Sequence, residues 1–510
     1  MAKQERTGLK ERLIKNSFWA FASSLINRAG ALIFTIILAR FLLPEKYGVY
    51  SIVLSTAMIF FTFADLGINS TLVRYVSHAI SKDKRKTYLY YNYLLKLKLI
   101  LAFAVSTSLL ILSYPLAFNF FKNSSLFLPF IIASVYIFIL SLETFYTSFF
   151  YTIEKIKYIS IKESLNQILR IVFALFVFYF IANAYHVIGI FSSYILISLL
   201  MTAFAFYYAK RLIPSISEKP KEMIKIDKKR VLKFTGFLTI ASISTVFFSY
   251  IDSVMLGFFL KPEYVGYYRA AFSLVIGVSA IIFAPTSILL PIFTKLAKKK
   301  TQAAINQIFK YLSILAIPAS FGLFTLGKYF IRFFYGYSYL PASLPLYFLS
   351  FILIPFVYVS VLLQLFSAEE KPQIFAILIT IISLVNVVLN YILIKSLLLI
   401  SEIWATAGAA IATLISWVLY FVLSIYFAKK ETKTRISFSH LLKPVIASVV
   451  MAAAIFYITN FFKDITFVIG ALEVLLGVFV YFATLFLIGG LTRKDLGIVK
   501  ILKECNKEGF

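Results

Sequence analysis

Residues 39 to 55 read ARFLLPEKYGVYSIVLS, and residues 257 to 273 read GFFLKPEYVGYYRAAFS. The two phrases align at an offset of 218 residues, so that Pro44 falls on Pro262, Glu45 on Glu263, Gly48 on Gly266 and Tyr50 on Tyr268. Solenoid repeats recur every ~20 to 50 residues, far less than this. In each copy Pro-Glu-x-x-Gly joins one long apolar segment to the next, proline ending a helix and glycine beginning another. The reading is a tight connection between two membrane spans, used once in each of two related halves. Two facing halves suit a transporter.

Composition agrees. Of 510 residues, 61% are hydrophobic and 14% charged, which excludes a soluble globular surface and implies an all-α polytopic membrane protein. Runs long enough to cross about 30 Å of hydrocarbon fall near 16–43, 48–73, 88–113, 126–151, 161–182 and 186–209. A second set falls near 233–258, 264–291, 307–327, 343–367, 373–395 and 404–427, and a last pair near 444–461 and 466–489. The expected plan is about fourteen spans: a six-helix lobe at 1–215, a second at 225–430, a helix pair within 436–490 and a tail at 491–510.

Lys and Arg concentrate on short cytoplasmic loops. With the N-terminus inside, external segments hold only Arg40, Lys46, Lys122, Lys261, Lys328, Arg332, Lys395 and Lys463 of the 51 basic residues. Arg28, Arg170 and Arg269 lie within spans, and all others fall on cytoplasmic segments. Both termini are therefore expected in the cytoplasm, and the net charge of +29 reports topology rather than a nucleic-acid partner. The opening MAKQERTGLKERLIKN is too charged for a cleaved secretory signal and is expected to stay as a cytoplasmic lead. The single cysteine, Cys505, can form no internal disulfide.

Nothing in the chain resembles catalytic machinery. The longest stretch outside the membrane, near 210–232, cannot house a folded domain, and His78, His186 and His440 lack metal-ligand spacing. There is no phosphate-binding glycine loop and no nucleophile elbow. The expectation is a non-enzyme needing no cofactor or metal.

Polar residues do recur at helical spacing inside the spans. Ser51, Ser55, Thr62, Asp65 and Asn69 share one face, as do Thr235, Thr239, Ser242, Thr245, Ser249 and Asp252. Shorter stripes are Ser17, Ser24, Asn27, Arg28 and Thr35, and Ser160, Ser164, Gln167 and Arg170. Ser and Thr often only join membrane helices, but charges at depth suggest a water-accessible lumen. An ionised group at the bilayer centre costs at least ~2.5 to 3.5 kcal/mol. Arg28 lies roughly 16 Å deep, Arg170 roughly 14 Å and Glu143 about 12 Å. The pairs expected from proximity are Glu143 with Arg170, Arg28 with Asp65, and Asp252 with Arg269. Glu473 has no evident partner. Under the 218-residue offset Arg28 maps to Val246, Asp65 to Phe283 and Asp252 to Phe34, so the frame repeats and the chemistry does not.

The phrases ARFLLPEKYGVYS, DLGINS (65–70) and IDSVMLG (251–257) together resemble the polysaccharide flippases, O-antigen flippases of the Wzx type among them, within the multidrug/oligosaccharidyl-lipid/polysaccharide exporter superfamily. The resemblance implies a V-shaped pair of six-helix bundles alternating between inward-open and outward-open states in the cell (plasma or inner) membrane. The implied cargo is a polyprenyl-linked glycan lipid, its head group in a cationic lumen and its tail along the final helix pair. Glycan-assembly enzymes are implied partners. By position Arg28, with Asn27 beside it, then Arg170 and Arg269, would contact the anionic head group, while Asp65, Asp252 and Glu143 would serve as lumen or coupling carboxylates. A multidrug exporter of the same superfamily and a peptidoglycan-precursor flippase are the alternatives.

Overall fold

The computed structural model describes residues 2–218, 227–283, 298–432, 437, 441–460 and 467–491; within helices, the side chains of 2–26, Arg28 and several other residues are outside that description. All regular elements described are helical. We number the α-helices α1 (Ala2–Asp65), α2 (Ile68–Lys82), α3 (Arg85–Tyr114), α4 (Phe127–Thr152), α5 (Ile156–Phe180), α6 (His186–Leu212), α7 (Lys228–Phe259) and α8 (Pro262–Phe283). They continue as α9 (Lys298–Tyr335), α10 (Ser343–Leu349), α11 (Leu353–Ala368), α12 (Pro372–Leu398), α13 (Glu402–Glu431), α14 (Leu442–Thr459) and α15 (Phe467–Leu487). Among the described residues, twelve helical stretches are long and apolar enough to cross a membrane, and one of them, Ala29–Lys82, runs for 54 residues. The chain is a multi-pass, all-α membrane protein.

Two features differ from the expectation at 16–43 and 48–73. No loop separates these segments: α1 passes through Pro44 with a single-residue bend at Leu43 (φ 60, ψ 169). A proline needs no partner for its missing N–H at the first position of a helix, so the chain turns there and resumes winding at once. The second departure is at Leu66 (φ 41) and Gly67 (φ 76), where the helix stops and α2 begins. Asn69 therefore lies beyond a break and not on the Ser51–Asp65 face. The expected span at 343–367 is likewise subdivided into α10, a 3-10 turn at Ser350–Ile352 and α11.

Within the first half, α4 packs on α6 and α3, and α1 on α5; within the second, α12 packs on α13 and α7. The α14–α15 pair leans on α9. The most extensive helix contact of all joins the halves, α1 against α8. One hydrophobic core runs continuously through both, from Phe34 and Leu38 to Val265, Leu362 and Ala428. The expected stretch at 284–291, the connector at 219–226, Lys463 and the tail with Cys505 lie outside the described residues.

Candidate functional site

The polar stripes divide on inspection. Ser51 donates to the Tyr47 carbonyl (2.7 Å) and Thr62 to that of Met58 (3.1 Å), both bonds within their own helix. Thr235 meets Thr71 (3.0 Å) and Thr239 donates to the Leu66 carbonyl (2.8 Å), joining α7 to the α1–α2 break. Gln167 donates to the Asn27 carbonyl (2.9 Å), which ties α5 to α1, and the Asn27 Oδ1 is buried without a hydrogen-bond partner. These stripes mostly join helices. Thr245 and Ser249 are the exposed part of the α7 stripe.

Neither of the two expected ion pairs whose side chains are described, Glu143 with Arg170 and Asp252 with Arg269, forms. Glu143 binds Lys162 at 2.6 Å instead of Arg170, and Lys162 also reaches Glu163 at 3.0 Å. Lys162 and Arg170 sit on one helix, two turns apart, and the lysine is the more deeply buried of the two. A buried ammonium requires a carboxylate, whereas a guanidinium can spread its charge over aromatic faces. Asp65 binds Lys98 at 2.6 Å, and Lys98 is wholly buried. The Arg28 side chain, expected as that partner, is outside the described residues.

Asp252 and Arg269 are not paired either. Asp252 is 4% exposed, and it accepts from Tyr268 (2.5 Å), Thr413 (2.8 Å) and Asn390 (2.7 Å). Asn390 is further held by Asn386 (3.0 Å to its carbonyl, 3.1 Å to its side chain), and Asn386 donates to Ser416 (3.3 Å). Tyr268 and Arg269 are consecutive on α8, so their side chains leave the helix about 100° apart. With Tyr268 aimed at Asp252, Arg269 must point elsewhere. This oxygen-rich knot, drawn from α7, α8, α12 and α13, has the donors to hold a proton or a small cation. Among the described residues no group of three or more His, Cys, Asp or Glu could ligate a metal.

Released from carboxylates, the two arginines face aromatic rings. Arg170 lies 5.2 Å from the Tyr194 ring centre, in a cluster where the Tyr50 and Tyr194 hydroxyls meet at 2.6 Å and the Tyr136 and Tyr194 rings are 5.4 Å apart. Arg269 lies 5.6 Å from the Tyr250 ring and 5.6 Å from Phe272. Arg170, Arg269 and Tyr250 are all part-exposed. One guanidinium from each half, Arg170 on α5 and Arg269 on α8, thus lies over tyrosine rings. Neither has a carboxylate within 4 Å among the described residues.

Away from these arginines, a cavity of about 610 Å³ opens between α9 and α15, walled mainly by Leu326, Phe330, Phe333, Val474 and Leu475, with Arg332 among its lining residues. Glu473 on α15 is buried beside it, accepting from Thr459 at 3.3 Å with its second oxygen unpartnered.

Sequence reasoning missed Lys98 and Lys162, counted with the cytoplasmic basic residues, and the Asn386, Asn390 and Thr413 partners of Asp252. The asparagines carry a usable signal: two amides four residues apart in the apolar run TIISLVNVVLNYIL place both on one helix face. Lys162 carries none, since it lies at the membrane edge of its span, whereas Lys98, ten residues inside the span at 88–113, carries an unused signal of depth.

Comparison with known proteins follows the same lines. By fold, the chain is similar to the lipid II flippase MurJ in an inward closed conformation, with a TM-score of 0.73 and 19% identity, over 92% of this chain and 98% of that one. It is also similar to a multidrug resistance MATE family transporter of the MOP superfamily in its inward-facing conformation (TM-score 0.61, 13% identity, 81% and 95% covered). In sequence it is 23% identical over 271 residues to the probable low-salt glycan biosynthesis flippase Agl15 of Haloferax volcanii, 52% of this chain and 55% of that protein. The chain thus spans about half the length of that curated relative. The model of the family described as polysaccharide biosynthesis protein matches residues 13–297, more than half of the chain, and the protein belongs to that family.

Proposed function

We propose that this protein flips a polyprenyl-linked oligosaccharide from the cytoplasmic to the outer leaflet of the cell membrane by alternating access between two lobes, 1–215 and 225–430, with both termini in the cytoplasm. A glycan's hydroxyls each cost several kcal/mol when moved unsatisfied into hydrocarbon, and a polar lumen removes that barrier. The observation that supports the reading is the pair of guanidiniums, Arg170 in one half and Arg269 in the other, each lying over a tyrosine ring with no salt bridge to a carboxylate among the described residues. They are anion contacts for the phosphate of the cargo, together with Arg28 and, beside it, Asn27. The tail lies along 436–490, where the apolar cavity between α9 and α15 offers room. The MurJ and Agl15 likenesses supply the cargo class, a lipid-linked glycan. Assembly enzymes supplying that lipid are expected neighbours.

A diphosphate carries about two negative charges, and ~100 mV negative inside favours outward movement of each by about 2.3 kcal/mol. Membrane potential therefore contributes roughly 4.6 kcal/mol per cycle. Asp252 is the carboxylate poised for ion coupling, because Asp65 and Glu143 are already neutralised by lysines. The same neutralisation disfavours a multidrug exporter, which needs lumen carboxylates for organic cations.

Mass spectrometry of lipid copurifying with the wild type and with the Arg170→Ala, Arg269→Ala double variant tests the assignment. A phosphorylated isoprenoid glycan that is retained by the wild type and lost from the variant supports it; equal retention of that lipid, or none in either, refutes it.

A further inference from the structure

The repeated phrase packs against itself. The backbone around Gly48 lies so close to the Pro262 carbonyl that a β-carbon there would overlap it, and a β-carbon on Gly266 would overlap the Pro44 carbonyl in the same way. The two copies of Pro-Glu-x-x-Gly thus seat each glycine on the other's proline, a reciprocal contact about an approximate two-fold axis. The glycines do not begin helices; Gly48 lies inside α1 and Gly266 inside α8. Their lack of a side chain serves close approach of two backbones.

Three further contacts join the halves at this end of the bundle. Arg40 on α1 donates through Nε to the Phe334 carbonyl (2.7 Å) and through Nη2 to that of Phe333, capping the last turn of α9. Those carbonyls have no partner within their own helix, and a cation suits the negative end of the helix dipole. Tyr339 donates to the Ala39 carbonyl (2.9 Å), and its ring stands edge-on to those of Tyr47 and Tyr267. At the opposite end, among the described residues, the hydroxyls of Thr235 and Thr239 and the buried side chain of Val231 also meet the first half.

We propose that the paired Pro-Glu-x-x-Gly turns, clamped by Arg40, form an outer latch that holds the protein closed to the outside at rest, so that the cytoplasmic side is the one that opens first. The latch releases when the lobes part and the two proline carbonyls slide off the two glycines. This rests on the two-lobe alternating reading, but on no particular cargo.

The experiment places nitroxide labels on Lys122→Cys and Lys395→Cys, exposed residues of the first and second halves near this end, in the full chain with Cys505→Ser, reconstituted in lipid without added cargo. Electron–electron resonance is expected to give one dominant short distance. Arg40→Ala should raise the long-distance population roughly fivefold, the weight of a typical hydrogen-bonded contact, and Gly48→Leu should abolish the short distance. An unchanged distribution in folded Gly48→Leu protein overturns the proposal. Should Gly48→Leu not fold, the double variant Arg40→Ala, Tyr339→Phe, which removes only hydrogen-bonding groups, decides: a shift towards long distances supports the latch, and an unmoved distribution overturns it. Loss of the latch with lipid retention intact would refute neither the lumen nor its cargo.

Discussion

At Lys162 a single ammonium is held between Glu143 and Glu163 with side chains of Lys162 and Glu143 only 5% and 3% exposed. Removing one partner leaves an uncompensated charge in a low-dielectric interior, at a cost of about 3 to 5 kcal/mol. Lys162→Met should therefore lower the thermal unfolding temperature in detergent sharply. The double variant Lys162→Met, Glu143→Gln should recover most of the loss, because both charges are then gone. A double variant as unstable as the single one would mean that the pair does not hold α4 to α5. Arg170, eight residues along, differs in that its charge rests on the Tyr194 ring with no salt bridge among the described residues, so under the proposed function Arg170→Gln should leave the melting temperature nearly unchanged and act on transport.

Among the elements, the break between α1 and α2 is one whose backbone geometry favours glycine. Gly67 stands at φ 76, ψ 10, a left-handed conformation that costs a side-chain-bearing residue roughly 1 to 2 kcal/mol. Gly67→Ala should destabilise the protein by about that much and loosen the docking of Thr239 on the Leu66 carbonyl, read as lower unfolding temperature and faster amide exchange in residues 64–72. A melting curve identical to wild type would show that the break tolerates any residue. Much of the helix plan was legible, because runs of about twenty apolar residues have few alternatives. This break was not: Leu66 and Gly67 sit inside an apolar run that hydropathy alone reads straight through. The bend at Leu43 was misread for the opposite reason, since a proline at a helix start looks the same in sequence whether a loop precedes it or not. The ion-pair partners were illegible because spacing along one helix does not say which face meets which neighbour. Asn386 and Asn390, by contrast, announced a polar face through their spacing alone.

For the whole molecule, the duplication supplies a frame and the unequal charges supply the direction. The paired turns at one end make a symmetric closure, while Arg170, Arg269 and the Asp252 knot occupy positions that the 218-residue offset does not repeat. Under the proposed function, an anionic cargo held by Arg170 and Arg269 should move outward faster under an inside-negative potential. Dissipating the potential with valinomycin and potassium should slow transport several-fold. Transport that ignores the potential but collapses in Asp252→Asn would shift the drive to an ion gradient. The most direct test is flipping of a fluorescent polyprenyl-diphosphate oligosaccharide in proteoliposomes, wild type against the Arg170→Gln, Arg269→Gln double variant at matched folding. The account predicts transport by the wild type and a fall of at least about tenfold in the variant, the equivalent of one lost charge-assisted contact; equal rates in the two would contradict it.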